Sequence, residues 1–137
     1  MSANEDRTRI LIVDDEVAIA DSLAMIFAVH GSEFRVAYSA EQAVDIIAEW
    51  QPDLAILDVI LPGMNGIDLA ILMRANYASC RIILFSGNAN TTPLLEEAGK
   101  KGYRFDVLAK PVQPEILLEA ASSLFSAERG PEVQKFD

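Results

Sequence analysis

Three aspartates follow two short apolar segments of the chain. Residues 10–13 (Ile-Leu-Ile-Val) are followed by Asp14 and Asp15, and residues 54–57 (Leu-Ala-Ile-Leu) are followed by Asp58. Apolar segments of this length that are rich in β-branched residues are typical of strands buried within a sheet. Carboxylates gathered at the ends of such strands repel one another, so the cluster requires a cation, a proton or a chemical role.

The chemistry open to these aspartates is metal binding and phosphoryl transfer. Two carboxylates can bind Mg²⁺ directly and a third through water, with a backbone carbonyl and further waters completing an octahedron. Aspartate is also a covalent nucleophile for phosphoryl groups, whose transfer requires positioning and cations on the equatorial oxygens. Ser86 and Lys110 each end a strand-like segment and add a hydroxyl and an ammonium group.

Each of these residues also has an ordinary structural interpretation. Asp14 or Asp15 could cap the helix that follows, where the helix dipole favours an anion. Ser86 alone is best read as a loop hydroxyl, and Lys110 alone as a solvated lysine at a strand end. The functional interpretation gains weight only if the fold brings all of them to one edge of a sheet.

Strand and helix patterns alternate five times along the chain, which predicts such a fold. Five βα units of this length indicate an α/β protein, a doubly wound, flavodoxin-like (βα)5 sandwich with a parallel sheet in the order 2-1-3-4-5. The switch point of that order lies between strands 1 and 3, the two strands that end in aspartate. The predicted strands are residues 9–13, 34–38, 54–57, 81–85 and 105–109.

Helix boundaries are indicated by capping residues and prolines. Ser39, with Gln42 three residues later, forms a capping-box pattern at the start of the second helix. Pro93 is predicted to be the first residue of the fourth helix, with Thr92 as its cap, and Pro114 opens the fifth.

The composition is that of one globular domain. The chain has 137 residues, of which 51% are hydrophobic, and a net charge of −10. We expect a domain over residues 9–126 with polar tails at 1–8 and 127–137. The negative charge argues against nucleic acid as a partner, because phosphate binding needs clustered Lys and Arg. No segment approaches the ~18 apolar residues of a membrane span, and no signal peptide is recognisable. We therefore expect a cytoplasmic protein without a membrane partner.

Four motifs together resemble the receiver domain of response regulators, the phosphoacceptors of two-component phosphorelays. They are Asp14-Asp15, the segment from Asp58 to Gly66, Ser86, and Lys110-Pro111, and the resemblance covers about residues 8–126. It implies a receiver in which Asp58 accepts a phosphoryl group. Because only a short, mostly polar segment follows Phe125, we expect either a single-domain receiver or an excised domain of a larger protein. The donor would be a histidine kinase or a histidine phosphotransfer protein.

The resemblance also implies roles for the remaining residues. Mg²⁺ would be held by Asp15, Asp58 and the carbonyl of Ile60, with Asp14 assisting through water. Lys110 would contact the phosphoryl group, and Ser86 would move towards it and report its presence. The Lys110-Pro111 bond resembles the family's cis peptide, since X–Pro bonds adopt cis at little cost.

The sequence departs from the family pattern at two positions. The residue three before the lysine is usually Tyr or Phe, and here it is Val107. Phe105 has the same strand parity and could take over part of that aromatic's role; otherwise the protein signals without an aromatic rotamer change. The structural interpretation is that Phe105 is ordinary core. Gly87 stands where a small residue such as alanine is common, and we expect it to loosen the loop that carries Ser86.

Two other functions compete with the receiver interpretation. Aspartyl-phosphate phosphatases need a second acid/base Asp two residues after the nucleophile, and Ile60 occupies that position. We therefore expect a signalling phosphoacceptor with slow hydrolysis rather than a turnover enzyme. A pseudo-receiver that only binds proteins is the alternative. Output would go to an unknown downstream protein, with the face of the fourth helix, fifth strand and fifth helix as a candidate homodimer interface.

Overall fold

A computed structural model describes residues 8–87 and 91–129, which form five strands and five helices in alternation. The strands make one sheet in the order β2-β1-β3-β4-β5, and every pairing is parallel. The predicted fold class and strand order are therefore confirmed. The elements are β1 Arg9–Val13, α1 Val17–Val29, β2 Glu33–Ala37, α2 Ala40–Glu49, β3 Leu54–Asp58, α3 Gly66–Asn76, β4 Arg81–Ser86, α4 Thr91–Lys100, β5 Asp106–Ala109 and α5 Pro114–Arg129.

Helices cover both faces of the sheet, and the alternation of side chains along each strand divides the core in two. Leu11, Ala55 and Leu84 pack on the face covered by α2, α3 and α4. Ile12 and Ile56 pack on the opposite face, against α1 and α5. Central strands buried on both faces need apolar residues at consecutive positions. This explains why β1 and β3 appear in the sequence as unbroken apolar segments.

Side-chain caps fix the starts of two helices. Ser39 Oγ accepts a hydrogen bond from Gln42 N at 3.1 Å, as the capping-box pattern predicts. Gln42 Oε1 in turn accepts from Tyr38 N at 2.8 Å, one residue before the cap. At the start of α3, Asn65 Oδ1 accepts from Asp68 N at 2.8 Å. This second cap fixes the helix that follows the Asp58 loop.

The remaining differences from prediction are shifts of element boundaries. β2 lies one residue earlier than predicted, β3 includes Asp58, and β5 begins at Asp106. α4 begins at Thr91 rather than Pro93, because a proline fits the first turn, where N–H groups have no intrahelical partner. α5 continues to Arg129, so residues 127–129 are helical rather than part of a tail. The rest of the predicted tails, residues 1–7 and 130–137, lies outside the described residues.

Candidate functional site

The adjacent carboxyl ends of β1 and β3 bring the three aspartates together. Asp14 follows β1, Asp58 ends β3, and the two strands pair in parallel. One carboxylate oxygen from each of Asp14, Asp15 and Asp58 lies within 4.8 Å of the others. Asp14 is 1% exposed and Asp58 7%, whereas Asp15 is exposed. The cluster is therefore open to solvent on the side of Asp15.

Lys110 supplies a cation to the two buried aspartates. Its backbone N donates to Ser86 O at 3.0 Å, which places the start of its side chain at the same edge of the sheet. Its Nζ donates to Asp14 Oδ2 at 2.8 Å and to Asp58 Oδ2 at 3.1 Å. The Lys110–Pro111 peptide bond is cis, as predicted. The residues singled out in the sequence thus meet at one edge, and their chemical roles remain predictions.

The other oxygens of the buried aspartates accept backbone hydrogen bonds. Asp14 Oδ1 accepts from Glu16 N at 2.9 Å, which closes a turn just before α1. Neither Asp14 nor Asp15 caps this helix, because its N-cap is Glu16, which makes no side-chain capping hydrogen bond. Asp58 Oδ1 accepts from Ile60 N at a longer 3.4 Å. Both oxygens of Asp14 are thus already engaged. This arrangement fits a metal site in which Asp15 and Asp58 are direct ligands and Asp14 acts through water, since hard oxygen donors suit Mg²⁺.

The electrostatics of the site reflect two acids that share one ammonium group. Burial raises the pKa of the Asp58 carboxyl, the hydrogen bond from Lys110 lowers it, and the charge of Asp14 raises it again, so the pKa lies above its ordinary value. Burial lowers the pKa of Lys110, but its hydrogen bonds to Asp14 and Asp58 outweigh that effect and leave it raised. The site therefore retains an excess of negative charge that a divalent cation would neutralise.

Two glycines make room for Asp58 and Lys110, one beside the backbone of Asp58 and one beside the side chain of Lys110. A Cβ at Gly66 would overlap the carbonyl oxygen of Asp58, and Gly66 N donates to Val59 O at 2.8 Å. A Cβ at Gly87 would lie 3.3 Å from Lys110 Cβ. Gly87 therefore gives space to the aliphatic part of Lys110. This role is different from the loosening of the Ser86 loop that the sequence suggested.

A cavity of about 790 Å³ extends from the site along α1 and the connection between β5 and α5. Asp15, Asp58 and Lys110 line its polar end. Its walls are mostly apolar, and the side chain of Ile60, 45% exposed, stands at its edge. The cavity gives a group carried by another molecule a route from solvent to the Asp58 carboxylate.

Phe105 does not lie where a substitute for the missing aromatic would be expected. Ser86 is opposite Ala109 in the sheet, and Phe105 precedes the other end of β5. Four residues of strand separate Phe105 from Ala109 by roughly 13 Å. The guanidinium carbon of Arg74 lies 4.6 Å from the centre of the Phe105 ring. The geometry favours the interpretation of Phe105 as a packed structural residue.

The fold and the aspartate cluster define a flavodoxin-like domain of two-component signalling. Residues 10–122 match the family model of the response regulator receiver domain, so the chain belongs to that family. The family predicted from the four motifs is thereby confirmed. Receiver domains are signalling phosphoacceptors that typically bind Mg²⁺ at an aspartate cluster, and membership implies a histidine kinase as partner.

Relatives and solved structures agree with this assignment. The DNA-binding response regulator MtrA of Mycolicibacterium paratuberculosis is 33% identical over 112 residues, which are 82% of this chain and 48% of MtrA. The receiver domain protein (CheY-like) of Methanospirillum hungatei has a TM-score of 0.79 at 28% identity, covering 90% of this chain and 98% of that one. The signal receiver domain of an HD domain-containing protein of Pseudomonas fluorescens has a TM-score of 0.82, with the same identity and coverage.

Two expectations from the sequence concerned partners that the protein would lack, namely nucleic acid and a membrane. The chain spans about half the length of the curated relatives it matches, and MtrA is named as DNA-binding. The expectation that nucleic acid is not a partner is therefore not supported by these relatives. Among the described residues, every helix is too short or too polar to span a membrane.

Proposed function

We propose that Asp58 accepts a phosphoryl group from a phosphohistidine and that the modified domain then changes its protein contacts. The observation that carries the proposal is the position of Lys110 Nζ, 3.1 Å from Asp58 Oδ2 and 2.8 Å from Asp14 Oδ2. A nucleophilic carboxylate, a cation beside it and two further carboxylates for a metal are the parts that phosphoryl transfer to aspartate requires.

In the proposed step, an Asp58 oxygen forms a bond to phosphorus as the bond between phosphorus and the histidine nitrogen breaks. The electron pair of the broken bond stays on the histidine nitrogen, and the ring leaves as neutral imidazole because its other nitrogen carries a proton. Lys110 Nζ is within reach of both the carboxylate and the incoming phosphoryl oxygens. Because phosphoryl transfer depends on positioning and charge neutralisation, the pair of Lys110 and Asp58 is the centre of the proposed reaction.

Asp15, Asp58 and the carbonyl of Ile60 would hold Mg²⁺, with Asp14 assisting through water. When bound, the ion would neutralise negative charge on the carboxylates and on the phosphoryl oxygens. Asp14 would meanwhile keep its hydrogen bonds to Glu16 N and Lys110 Nζ and so hold the lysine in place.

The donor is proposed to reach Asp58 through the cavity beside α1. Val17, at the start of that helix, is 53% exposed, and Ile60 is 45% exposed. These apolar side chains could contact a histidine kinase or a histidine phosphotransfer protein while its histidine enters the polar end. Ser86 would bind the transferred group and report it to the face formed by α4, β5 and α5.

The test is incubation of the protein with Mg²⁺ and acetyl phosphate, followed by intact-mass spectrometry. We expect a gain of one phosphoryl group that disappears in Asp58→Asn. Asp45→Asn, which removes an exposed carboxylate on α2, is the matched control and should gain the group like the wild type. No mass gain, or a gain that survives in Asp58→Asn, would instead favour a pseudo-receiver that acts as a protein-binding module.

A further inference from the structure

A second hollow, of about 190 Å³, lies between α4 and β5, and it shares no lining residue with the cavity at Asp58. Two small residues create it. Gly99 lies inside α4, where glycine costs about 1 kcal/mol relative to alanine, and a Cβ there would meet no atom within 4 Å. Val107 stands where related receivers usually carry an aromatic ring. The lining residues are Leu95, Gly99, Tyr103, Arg104, Phe105 and Val107.

The aromatic side of the hollow is held in place by its neighbours. The rings of Tyr103 and Phe105 are parallel within 3°, with centres 6.4 Å apart. Arg74 covers Phe105 and donates a hydrogen bond from Nη1 to Arg104 O at 3.2 Å. Because Arg74 holds Phe105 in this position, the rings of Tyr103 and Phe105 form one wall of the hollow. Neither ring fills the space between Gly99 and Val107.

The size and polarity of the hollow suit one large apolar side chain. A cavity of about 150 Å³ in a protein core is enough to hold benzene. The space is bounded by Leu95, Val107 and the two rings, so an inserted aromatic or branched aliphatic group would lose contact with water on several sides. Burial of such a group contributes about 1.5–3 kcal/mol.

The rim of the hollow is positively charged in a chain whose net charge is −10. Lys100, Lys101 and Arg104 are all exposed and lie within five consecutive positions. Lys100 and Arg104 also line an adjoining depression on α4. Glu96, Glu97 and Asp106 are the acids nearby in the sequence. The residues that line the hollow and the adjoining depression nevertheless include two cations, Lys100 and Arg104, against one carboxylate, Glu96. The rim therefore complements a segment that carries negative charge on both sides of its apolar residue.

We propose that this hollow binds a segment of a partner protein in which an aromatic or large aliphatic side chain is flanked by carboxylates. The partner would then supply the ring that related receivers carry within their own fifth strand. The inference rests on the proposed function only in treating this face as the output surface. Binding to the hollow itself requires neither Asp58 nor a phosphoryl group.

The test is an NMR titration of the ¹⁵N-labelled protein with three capped tripeptides, Glu-Phe-Glu, Glu-Ala-Glu and Lys-Phe-Lys. We expect Glu-Phe-Glu to shift the amide signals of Leu95, Gly99 and Val107, with the other two binding at least about tenfold more weakly. Gly99→Leu and Val107→Phe fill the space by different routes and should each weaken Glu-Phe-Glu binding to a similar extent. Gly99→Ala, which also removes the helix glycine but adds one methyl group, is the control that keeps binding.

Three outcomes would overturn the inference. These are no shifts at the hollow, equal binding of Lys-Phe-Lys, and unchanged binding in both filled variants. Concentration-dependent shifts at the hollow without peptide would assign it to a second copy of the chain and also overturn the proposal. Asp58→Asn should bind Glu-Phe-Glu as the wild type does. Failure of the tripeptide test is therefore separate from failure of the phosphorylation test, which is measured by mass.

Discussion

The ammonium group of Lys110 lies 2.8 Å from Asp14 Oδ2, and this contact joins residues 96 positions apart in the chain. The Asp14 side chain is 2% exposed and that of Lys110 17%. The same ammonium group also contacts Asp58, so one partly exposed cation offsets the charge of two buried carboxylates. The residue proposed to contact the phosphoryl group therefore also stabilises the fold before phosphorylation.

Removal of this cation should destabilise the protein and make its stability depend more strongly on Mg²⁺. Lys110→Ala leaves Asp14 and Asp58 without their partner. We expect it to lower the free energy of unfolding by about 2 kcal/mol in EDTA, less than for a fully buried pair because Lys110 is partly exposed. Urea unfolding with and without Mg²⁺ measures this, and the gain from Mg²⁺ should be larger in the variant. Lys101→Ala, at an exposed position, should change neither value; equal stabilities of Lys110→Ala and wild type would contradict the prediction.

Asp58 should oppose folding at neutral pH, because its pKa is raised in the folded state. The folded protein then holds the Asp58 proton more tightly than the unfolded chain does. Protonated Asp58 favours the folded state. This contribution to the free energy of unfolding is fully present below the ordinary carboxyl pKa and is lost as the pH rises through the raised pKa of the folded state. Asp58→Asn should therefore raise the free energy of unfolding at pH 7 by about 1 kcal/mol, and this gain should shrink towards about pH 4.

The measurement is urea unfolding in EDTA at several pH values between about 4 and 8. Asp45→Asn serves as the control, since its carboxylate is exposed and should give no pH-dependent gain. A gain in Asp58→Asn that stays constant across the pH range would show that burial of the charge is not its cause.

The fold and the aspartate cluster could be predicted because both follow from residue patterns along the chain. Unbroken apolar segments identify strands buried on both faces, and their alternation with helices indicates a parallel, doubly wound sheet. The order 2-1-3-4-5, one of the common orders for such sheets, is the one that the structure has. Once β1 and β3 are adjacent, Asp14 and Asp58 must meet at the carboxyl edge. Their proximity thus depends on the path of the backbone, which the sequence pattern encodes.

Side-chain contacts and single-turn details could not be predicted in the same way. That Lys110 reaches Asp14 as well as Asp58 depends on the length and direction of a flexible side chain. The hollow at Gly99 and Val107 depends on how α4 packs beside β5, which neither residue reveals alone. The cap at Asn65 is different. An asparagine before an apolar helix, with Asp68 three residues later, is recognisable from the sequence, although it is absent from the caps predicted above.

Two glycines with different surroundings should respond oppositely to the same substitution. In Gly66→Ala the added methyl group would overlap the Asp58 carbonyl oxygen, and we expect a loss of about 1–3 kcal/mol in the free energy of unfolding. In Gly99→Ala the methyl group meets open space inside a helix, and we expect a gain of up to about 1 kcal/mol. Urea unfolding of both variants gives the two signs, and the same sign for both would contradict the packing described at these positions.

Ile60 should determine how long the proposed phosphoryl group stays on Asp58. Its side chain is 45% exposed at the edge of the cavity, two residues after the acceptor, and offers no base to activate water. Ile60→Asp places a carboxylate there, and because a positioned general base typically contributes about 10²–10⁴-fold, we expect hydrolysis to be at least about tenfold faster. Loss of the phosphoryl mass over time after removal of acetyl phosphate measures the rate. Ile60→Asn introduces a side chain of nearly the same shape as that in Ile60→Asp but without a basic group. Its phosphoryl group should therefore be hydrolysed at close to the wild-type rate. Equal acceleration in Ile60→Asp and Ile60→Asn would assign the effect to loss of the apolar side chain rather than to a base.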